Sequence, residues 1–227
     1  MLNQVNDIDM LEPLRLNHVE IIYEGKEGMI LVERRSQTLM ISMNDIEKFV
    51  KIYEKENLVK YDLIDVKQKE IADLLVAEYG TTLQFGCYQA VYLKKEKPVI
   101  ELPSSVCIRL LTEDYAQEVN QAYHQMDDLD YIMDKINHQE LWGLFENNDL
   151  AGFIGMHDEG SMGILEVVPK YRQRGYGTLL ESYLINDCLE KGKIPYCQVI
   201  EGNIASLNLQ SKLGLEISED LSYWLFE

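Results

Sequence analysis

One stretch of the sequence constrains the fold more than any other: residues 167–178, which read VVPKYRQRGYGT. An apolar strand pattern ends at Pro169, a basic turn follows, and two glycines separated by one residue open a helical pattern. Glycines let the main chain approach a ligand closely, and the first turn of a helix leaves several N–H groups unpaired. With Arg172 and Arg174 beside it, this helix start predicts an anion site, for which pyrophosphate is the natural occupant.

The same stretch excludes two common nucleotide-binding loops. A Rossmann turn requires G-x-G-x-x-G, and here the basic residues precede the glycines. A Walker loop requires Gly-Lys-Ser/Thr, which the sequence lacks. A glycine turn with solvated arginines is the simpler interpretation of Gly175 and Gly177 alone. The succession of strand, proline, arginines and helix favours a ligand site.

Strand and helix patterns along the chain predict the fold class. The predicted strands are residues 18–24, 28–33, 38–43, 82–93, 106–111, 140–146, 151–157, 162–168, 196–200 and 221–226. The predicted helices begin at Asn44-Asp45 and Thr112 or cover residues 68–79, 129–136, 175–190 and 203–213. In the second half, helices follow the first and fourth strands around an antiparallel middle. This predicts an α/β (α+β) protein with a mixed, mostly antiparallel sheet flanked by helices, and it excludes a doubly wound parallel sheet.

A charged segment with two prolines and two serines, residues 94–105, is the best linker candidate. It predicts a smaller N-terminal α/β domain over residues 1–105, of unknown role, and a second domain over residues 106–227. Charge differs between the halves: the first has 13 basic and 18 acidic residues, and the second 8 basic and 21 acidic. Three of those eight basic residues lie between Lys170 and Arg174, so this cationic cluster is a local feature of an acidic domain.

The net charge of −18 argues against binding to nucleic acid. No apolar run approaches the roughly 18 residues of a membrane helix, and the acidic start does not resemble a signal peptide. The four cysteines lack CxxC spacing, and His124, His138 and His157 lack ligand spacing, so no metal site is predicted. We therefore expect a cytoplasmic protein with no nucleic-acid or membrane partner, and leave a homodimer open.

Residues 168–177, with the pattern V-P-x-x-R-x-x-G-x-G, resemble the acyl-CoA pyrophosphate loop of the GNAT superfamily of N-acetyltransferases. Residues 203–215 resemble the later motif of that superfamily, an Asn followed by a helix ending in Leu-Gly. The resemblance covers about residues 106–227. Its Asn-x-x-Ser helix and terminal Tyr-Trp-Leu-Phe strand are most similar to the glycine N-acyltransferase-like (FR47) branch. Topology alone suggests that the N-terminal half is a degenerate second GNAT-like half.

The resemblance implies acetyl-CoA as co-substrate. Main-chain groups of the strand before Pro169 would bind the pantetheine and polarise the acetyl carbonyl, while the loop would hold the pyrophosphate. Asn203 would bond the pantetheine amide, although it also fits a helix N-cap, and Ser206 also fits an ordinary first-turn hydroxyl. The implied cofactor-binding residues are Leu165, Val167, Val168, Arg172, Gln173, Arg174, Gly175, Tyr176, Gly177, Thr178, Asn203 and Ser206.

The implied reaction is direct attack of a primary amine on the thioester in a ternary complex, which needs a group to accept a proton. Glu166 is the candidate base, with an exposed strand position as the alternative interpretation. Many relatives have a tyrosine acid where this chain has Gln210, and several have a glutamate where it has Ser161. These departures leave a non-catalytic acyl-CoA-binding sensor as the alternative function.

Between Glu113 and Asp149 the sequence has ten acidic residues and one basic residue, Lys135. By resemblance, this segment borders the entrance for the acceptor. An acidic field attracts cations, so the expected acceptor is a small amine, a polyamine or a peptide amine in a basic context. The alternative is a solvated acidic surface that only keeps the protein soluble.

Overall fold

The computed structural model describes residues 2–123, 125 and 127–226. His124, one of the histidines considered above, lies outside this part of the chain. The α-helices, in chain order, are α1 (Ile8–Arg15), α2 (Ile46–Lys55), α3 (Lys69–Tyr79), α4 (Ala116–Ala122), α5 (Leu129–Asn137), α6 (Tyr176–Glu190) and α7 (Ile204–Leu213). The strands are β1 (Val19–Gly25), β2 (Gly28–Glu33), β3 (Leu39–Met43), β4 (Leu63–Val66), β5 (Thr82–Val91), β6 (Val106–Leu110), β7 (Leu141–Glu146), β8 (Asp149–Met156), β9 (Met162–Val167), β10 (Tyr196–Ile200), β11 (Glu216–Ile217) and β12 (Ser222–Phe226).

Contacts divide the chain into two compact units that do not follow chain order. The first unit contains Met1–Val91, Asp158–Gly160 and Tyr196–Glu227, and the second contains Tyr92–His157 and Ser161–Pro195. The C-terminal segment belongs to the first unit because β12 pairs with both β4 and β5, and β10 pairs with β5. The predicted domain boundary between residues 105 and 106 stays a prediction, since packing units and sequence domains are different divisions.

In the first unit the strand order is β1-β2-β3-β4-β12-β5-β10, with β11 also paired to β5. The recorded pairings are antiparallel except that of β3 with β4. Local signals set the helix ends as the sequence predicts: Asp45 caps α2 through a bond from Lys48 N, and Gly80 ends α3 at φ 77°. The core of this unit packs side chains such as Ile30, Phe49 and Leu225.

In the second unit β6, β7, β8 and β9 form an antiparallel succession. Phe153 of β8 packs with α4 and α5 through residues such as Val119 and Ile132. On the opposite face, a side chain at Gly152 would meet Leu180 of α6, so this helix lies close to the strands. The mixed, mostly antiparallel sheet flanked by helices confirms the predicted fold class.

Three elements, α1, β4 and β11, are absent from the sequence prediction. Helix α1 contains Pro13 and buries Asp9 and Glu12, so its inward face is not apolar. A pattern search based on apolar spacing therefore does not detect it. Strands β4 and β11 are only four and two residues long.

A buried polar cluster joins α1 to the first unit's sheet. The Nζ atom of Lys67 lies 2.6 Å from Oδ2 of Asp9 and 2.6 Å from Oδ2 of Asp65. Gln89 Nε2 donates to the same Asp9 oxygen at 2.6 Å. Burial raises the pKa of Asp65 well above its usual value, against the opposing effect of Lys67. Both aspartates are fully buried. These bonds therefore offset the free-energy cost of removing the two carboxylates from water.

Candidate functional site

The predicted anion loop connects β9 to α6. Pro169 opens a short 3-10 turn, Pro169–Tyr171, and Gln173 has a left-handed backbone with φ 62°. Gly175 is the N-cap of α6 at φ 81°, and a Cβ there would meet nothing within 4 Å. Backbone conformation therefore favours glycine at this position, whereas space would admit a larger residue.

The N-terminus of α6 presents donors of the kind that anions bind. Gly175 makes no side-chain cap bond, and its carbonyl accepts from Leu179 N at 3.1 Å. Arg172, Gln173 and Arg174 are exposed, whereas Gly177 and Thr178 are half-buried in the first turn. Tyr176 is buried, and burial with Glu146 nearby raises the pKa of its hydroxyl. The loop can therefore offer main-chain N–H groups and guanidinium groups to one ligand.

Each cation of the loop has a carboxylate partner. Arg172 lies 3.0 Å from Glu166, and Arg174 lies 2.7 Å from Glu146. Lys170 lies 3.5 Å from Asp149, which also accepts from the Tyr171 hydroxyl at 3.0 Å. An anionic ligand at the loop must therefore compete with these carboxylates for the arginines.

Strand β9 contains a bulge. Its register against β8 shifts between Phe153 and Gly155, and the buried Ile164 has φ 49°. A left-handed conformation is strained for a β-branched residue, and such strain concentrates at functional positions.

Beyond the bulge, Val168 N donates to Ala151 O of β8 at 3.0 Å. Because main-chain groups alternate along a strand, the N–H groups of Val167 and Leu165 point to the opposite edge of β9. Of the predicted pantetheine-binding residues of the strand, Leu165 and Val167 therefore share one N–H edge, whereas the N–H of Val168 is bonded to β8.

Glu166 is directed toward the loop. It is paired opposite Phe153 and so shares the face of that side chain. Its Oε1 atom accepts from Arg172 NH2 at 3.0 Å and lies 3.2 Å from Val167 N. The side chain is 22% exposed, so solvent reaches it, but its carboxylate is already bound by the loop.

Asn203 and Ser206 lie in the first unit, at the start of α7. Asn203 Oδ1 accepts from Ser206 N at 3.1 Å, which is the N-cap that the sequence leaves open as an alternative. Ser206 is half-buried in the first turn. Gln210, in the same helix, is 2% exposed, and its Oε1 has no hydrogen-bond partner among the described residues.

The sequence assigns no functional role to Tyr131 or His157, but the fold brings the two side chains together. The Tyr131 hydroxyl lies 2.8 Å from His157 Nδ1. They are separated by 26 residues with no motif between them, so only the tertiary structure reveals the pair.

In the part of the chain that the structure describes, no group of three or more His, Cys, Asp or Glu side chains is placed to hold a metal ion. Within the same residues, no helix has the length and apolar character needed to cross a membrane.

A family model described as acetyltransferase (GNAT) family matches residues 107–215. No curated protein matches the chain. Among solved structures, a Drosophila protein is 19% identical to this chain with a TM-score of 0.70. The alignment covers 88% of this chain and 73% of the Drosophila chain. A GCN5-related N-acetyltransferase from Kribbella flavida is 12% identical with a TM-score of 0.64, covering 100% and 96%. A tandem GNAT protein from the clavulanic acid biosynthesis pathway is 13% identical with a TM-score of 0.53, covering 96% and 87%.

At these identities the solved structures show a shared fold, and the family model shows which residues carry the family's pattern. The glycine N-acyltransferase-like branch stays a prediction. The matched residues include β9, the basic loop and α6. In this region a strand with a bulge is followed by a helix whose N-terminus has no side-chain cap. Residues 107–215 therefore form an acetyltransferase domain of the GNAT family.

Proposed function

We propose that the protein transfers an acetyl group from acetyl-CoA to a primary amine of an acceptor, by direct attack in a ternary complex. The observation that carries the proposal is the N-terminus of α6. Its N-cap residue is Gly175, no side chain caps it, and Arg172 and Arg174 precede it in the chain. The GNAT family match gives this anion site its ligand class, an acyl-CoA.

The residues of the loop fit a pyrophosphate. Arg172 and Arg174 would exchange their carboxylate partners for phosphate oxygens, and the N–H groups of Gly175, Tyr176 and Gly177 would donate to the ligand. Gln173 sets the left-handed turn before the helix, and Thr178 adds a hydroxyl in the first turn.

The pantetheine would lie along the edge of β9 to which the N–H groups of Leu165 and Val167 point. Val168, whose N–H is bound to β8, would contribute its carbonyl or side chain. Asn203 Nδ2 would donate to the pantetheine while Oδ1 keeps its capping bond, and Ser206 would act from the same turn.

Proton transfer has a sequence candidate, Glu166, whose carboxylate must leave Arg172 before it accepts a proton from the amine. Gln210 has no ionisable proton to give to the leaving thiolate. The thiolate of coenzyme A is a good leaving group, so solvent can protonate it.

The acceptor is proposed to be a cationic amine. In the second unit, exposed carboxylates surround α4 and α5, namely Glu113, Asp114, Glu118, Asp127, Asp128 and Asp130. Lys135, which is the one basic residue of that segment, is fully buried and lies 3.6 Å from Glu140. These six carboxylates therefore present negative charge to solvent, and the segment itself contributes no exposed Lys or Arg.

The N-terminal half is proposed to be a degenerate GNAT-like half. Support comes from the tandem GNAT protein, whose likeness to this chain covers 96% of it and so includes that half.

A test of the cofactor site is Gly175→Glu, which places a negative side chain where the pyrophosphate would bind. We expect the variant to lose acetyl-CoA binding in isothermal titration calorimetry. Gly192→Glu is the matched control, since Gly192 also has a positive φ (68°), also has open space at its Cβ and follows the other end of α6. Equal affinity in the two variants would contradict the site.

Turnover is tested by thiol release from acetyl-CoA with a panel of amines. We expect release that depends on the amine. Binding without release for every amine would instead indicate the non-catalytic sensor, for which Gln210 and Ser161 are the motivating departures.

A further inference from the structure

A tyrosine–histidine pair lies at the end of the hairpin that carries the bulge. His157 follows β8, and its N–H donates to Ser161 O at 2.9 Å, which closes the connection to β9. Its Nδ1 atom lies 2.8 Å from the hydroxyl of Tyr131 on α5. The centroids of the two stacked rings are 6.3 Å apart. The imidazole is therefore held from two sides, by its main chain and by α5.

The other edge of the imidazole lies against β9. A Cβ built on Gly163 would fall on Nε2 and Cδ2 of His157, so a residue with a side chain would displace the ring. Gly163 directly precedes Ile164, the strained residue of the bulge. The Nε2 atom is therefore beside the strand to which the thioester is assigned, one residue from the bulge.

We propose that His157 is the catalytic residue that accepts a proton from the attacking amine through Nε2, with Tyr131 as a positioning residue. The inference rests on the proposed acetyl transfer and names its base. The proposal requires the neutral tautomer in which Nδ1–H donates to the Tyr131 hydroxyl, because Nε2 then keeps its lone pair.

The amine nitrogen forms a bond to the acetyl carbon, and Nε2 takes one N–H proton. The C–S bond breaks, and the sulfur leaves with the electron pair. The thiolate then takes the proton from the imidazolium, or it is protonated by water while the imidazolium releases its proton to solvent. The products are the acetylated amine and coenzyme A, and the imidazole returns to its neutral form.

His157 suits this task better than Glu166 for a structural reason. The Glu166 carboxylate is engaged by Arg172 and lies at the loop end of β9. His157 is half-buried and lies beside Gly163, near the first residue of β9. Charged groups near Tyr131 include Lys135, whose Nζ lies 4.9 Å from the Tyr131 ring, and the carboxylates of Glu140 and Asp134, both within 4 Å of Lys135.

The kinetic test compares His157→Gln with the matched control His138→Gln, an exposed histidine at the end of α5 that bonds Asp134 O. Thiol release from acetyl-CoA is measured with spermidine and with a lysine-containing dipeptide. We expect His157→Gln to lower kcat about 100-fold or more, with acetyl-CoA affinity unchanged by calorimetry, and His138→Gln to match the unmodified protein. Retained turnover in His157→Gln would overturn the assignment, and a loss of about 100-fold in Glu166→Gln would then assign the base to Glu166.

Tyr131 is tested by the tautomer of His157 in ¹⁵N NMR spectra of labelled protein. We expect a protonated Nδ1 and an unprotonated Nε2 in the unmodified protein, and a shift toward the Nε2–H tautomer in Tyr131→Phe together with about a tenfold lower kcat. A protonated Nε2 in the neutral imidazole of the unmodified protein would contradict the proposal. Failure of the proposed function itself is distinguishable, because the unmodified protein would then release no thiol from acetyl-CoA with any amine, whether or not it binds acetyl-CoA.

Discussion

Arg172 of the predicted pyrophosphate loop forms an ion pair with Glu166 of β9. The pair is 3.0 Å long, with the arginine side chain 52% exposed, so its free energy is small, about 0.2–1 kcal/mol. A pyrophosphate offers the guanidinium a more highly charged partner. Cofactor binding is therefore expected to separate the pair.

Glu166→Gln removes the competitor of the pyrophosphate for Arg172. We expect acetyl-CoA to bind about two- to fivefold more tightly to this variant, which corresponds to the free energy of an exposed pair. Arg172→Ala loses a charge-assisted contact and should bind about tenfold or more weakly. Calorimetric titration of both variants measures this, and weaker binding by Glu166→Gln would show that the pair supports the loop.

The start of α7 has an observed capping bond and is also the place of a proposed pantetheine contact. Asn203 Oδ1 caps the helix by accepting from Ser206 N, and its Nδ2 remains as the group proposed to reach the pantetheine. Capping is a property of the acceptor oxygen, whereas the proposed ligand contact is a property of the donor nitrogen. Substitutions can therefore separate the two.

Asn203→Asp keeps an acceptor at the helix N-terminus and should leave stability unchanged or higher, because the carboxylate also favours the helix dipole. Asn203→Ala should cost about 1 kcal/mol in the free energy of unfolding. Urea unfolding measures both. If the donor nitrogen binds the pantetheine, the two variants should lose acetyl-CoA affinity alike; an unchanged affinity in both would leave only the cap.

For the whole molecule, the charge of −18 is the dominant electrostatic property, and its partly paired carboxylates are distributed unevenly. The exposed acidic residues around α4 and α5 give the proposed acceptor side a field that attracts cations over about a Debye length, roughly 8 Å at physiological salt. The carboxylate of an acceptor such as glycine would be repelled by the same field.

We therefore expect kcat/KM to be higher for spermidine than for neutral amines and lowest for glycine, because electrostatic attraction increases the capture rate of a cation. Raising the salt concentration should reduce the preference. Steady-state kinetics at two salt concentrations measures it. Equal kcat/KM for cationic and anionic amines, independent of salt, would show that the acidic surface only solvates the protein.

The sequence alone predicts the mixed sheet and most of its elements, together with the loop between β9 and α6. These features depend on signals within a few residues of one another: Asp45 caps α2, Gly175 begins α6 and Gly214 ends α7 at φ 82°. Helix caps depend on neighbouring residues in the same way in any fold, so the local sequence is sufficient to predict them.

Tertiary structure alone decided what depends on residues far apart in the chain. It placed β12 between β4 and β5, buried Asp9 of α1 against Lys67, and set the His157 ring against Gly163 beside Tyr131. Such contacts follow from the packing of many elements at once, and apolar spacing in one segment contains no information on its distant partner. The position of the loop between β9 and α6 was therefore predictable from sequence, whereas the proposed base depends on a contact that only the folded chain creates.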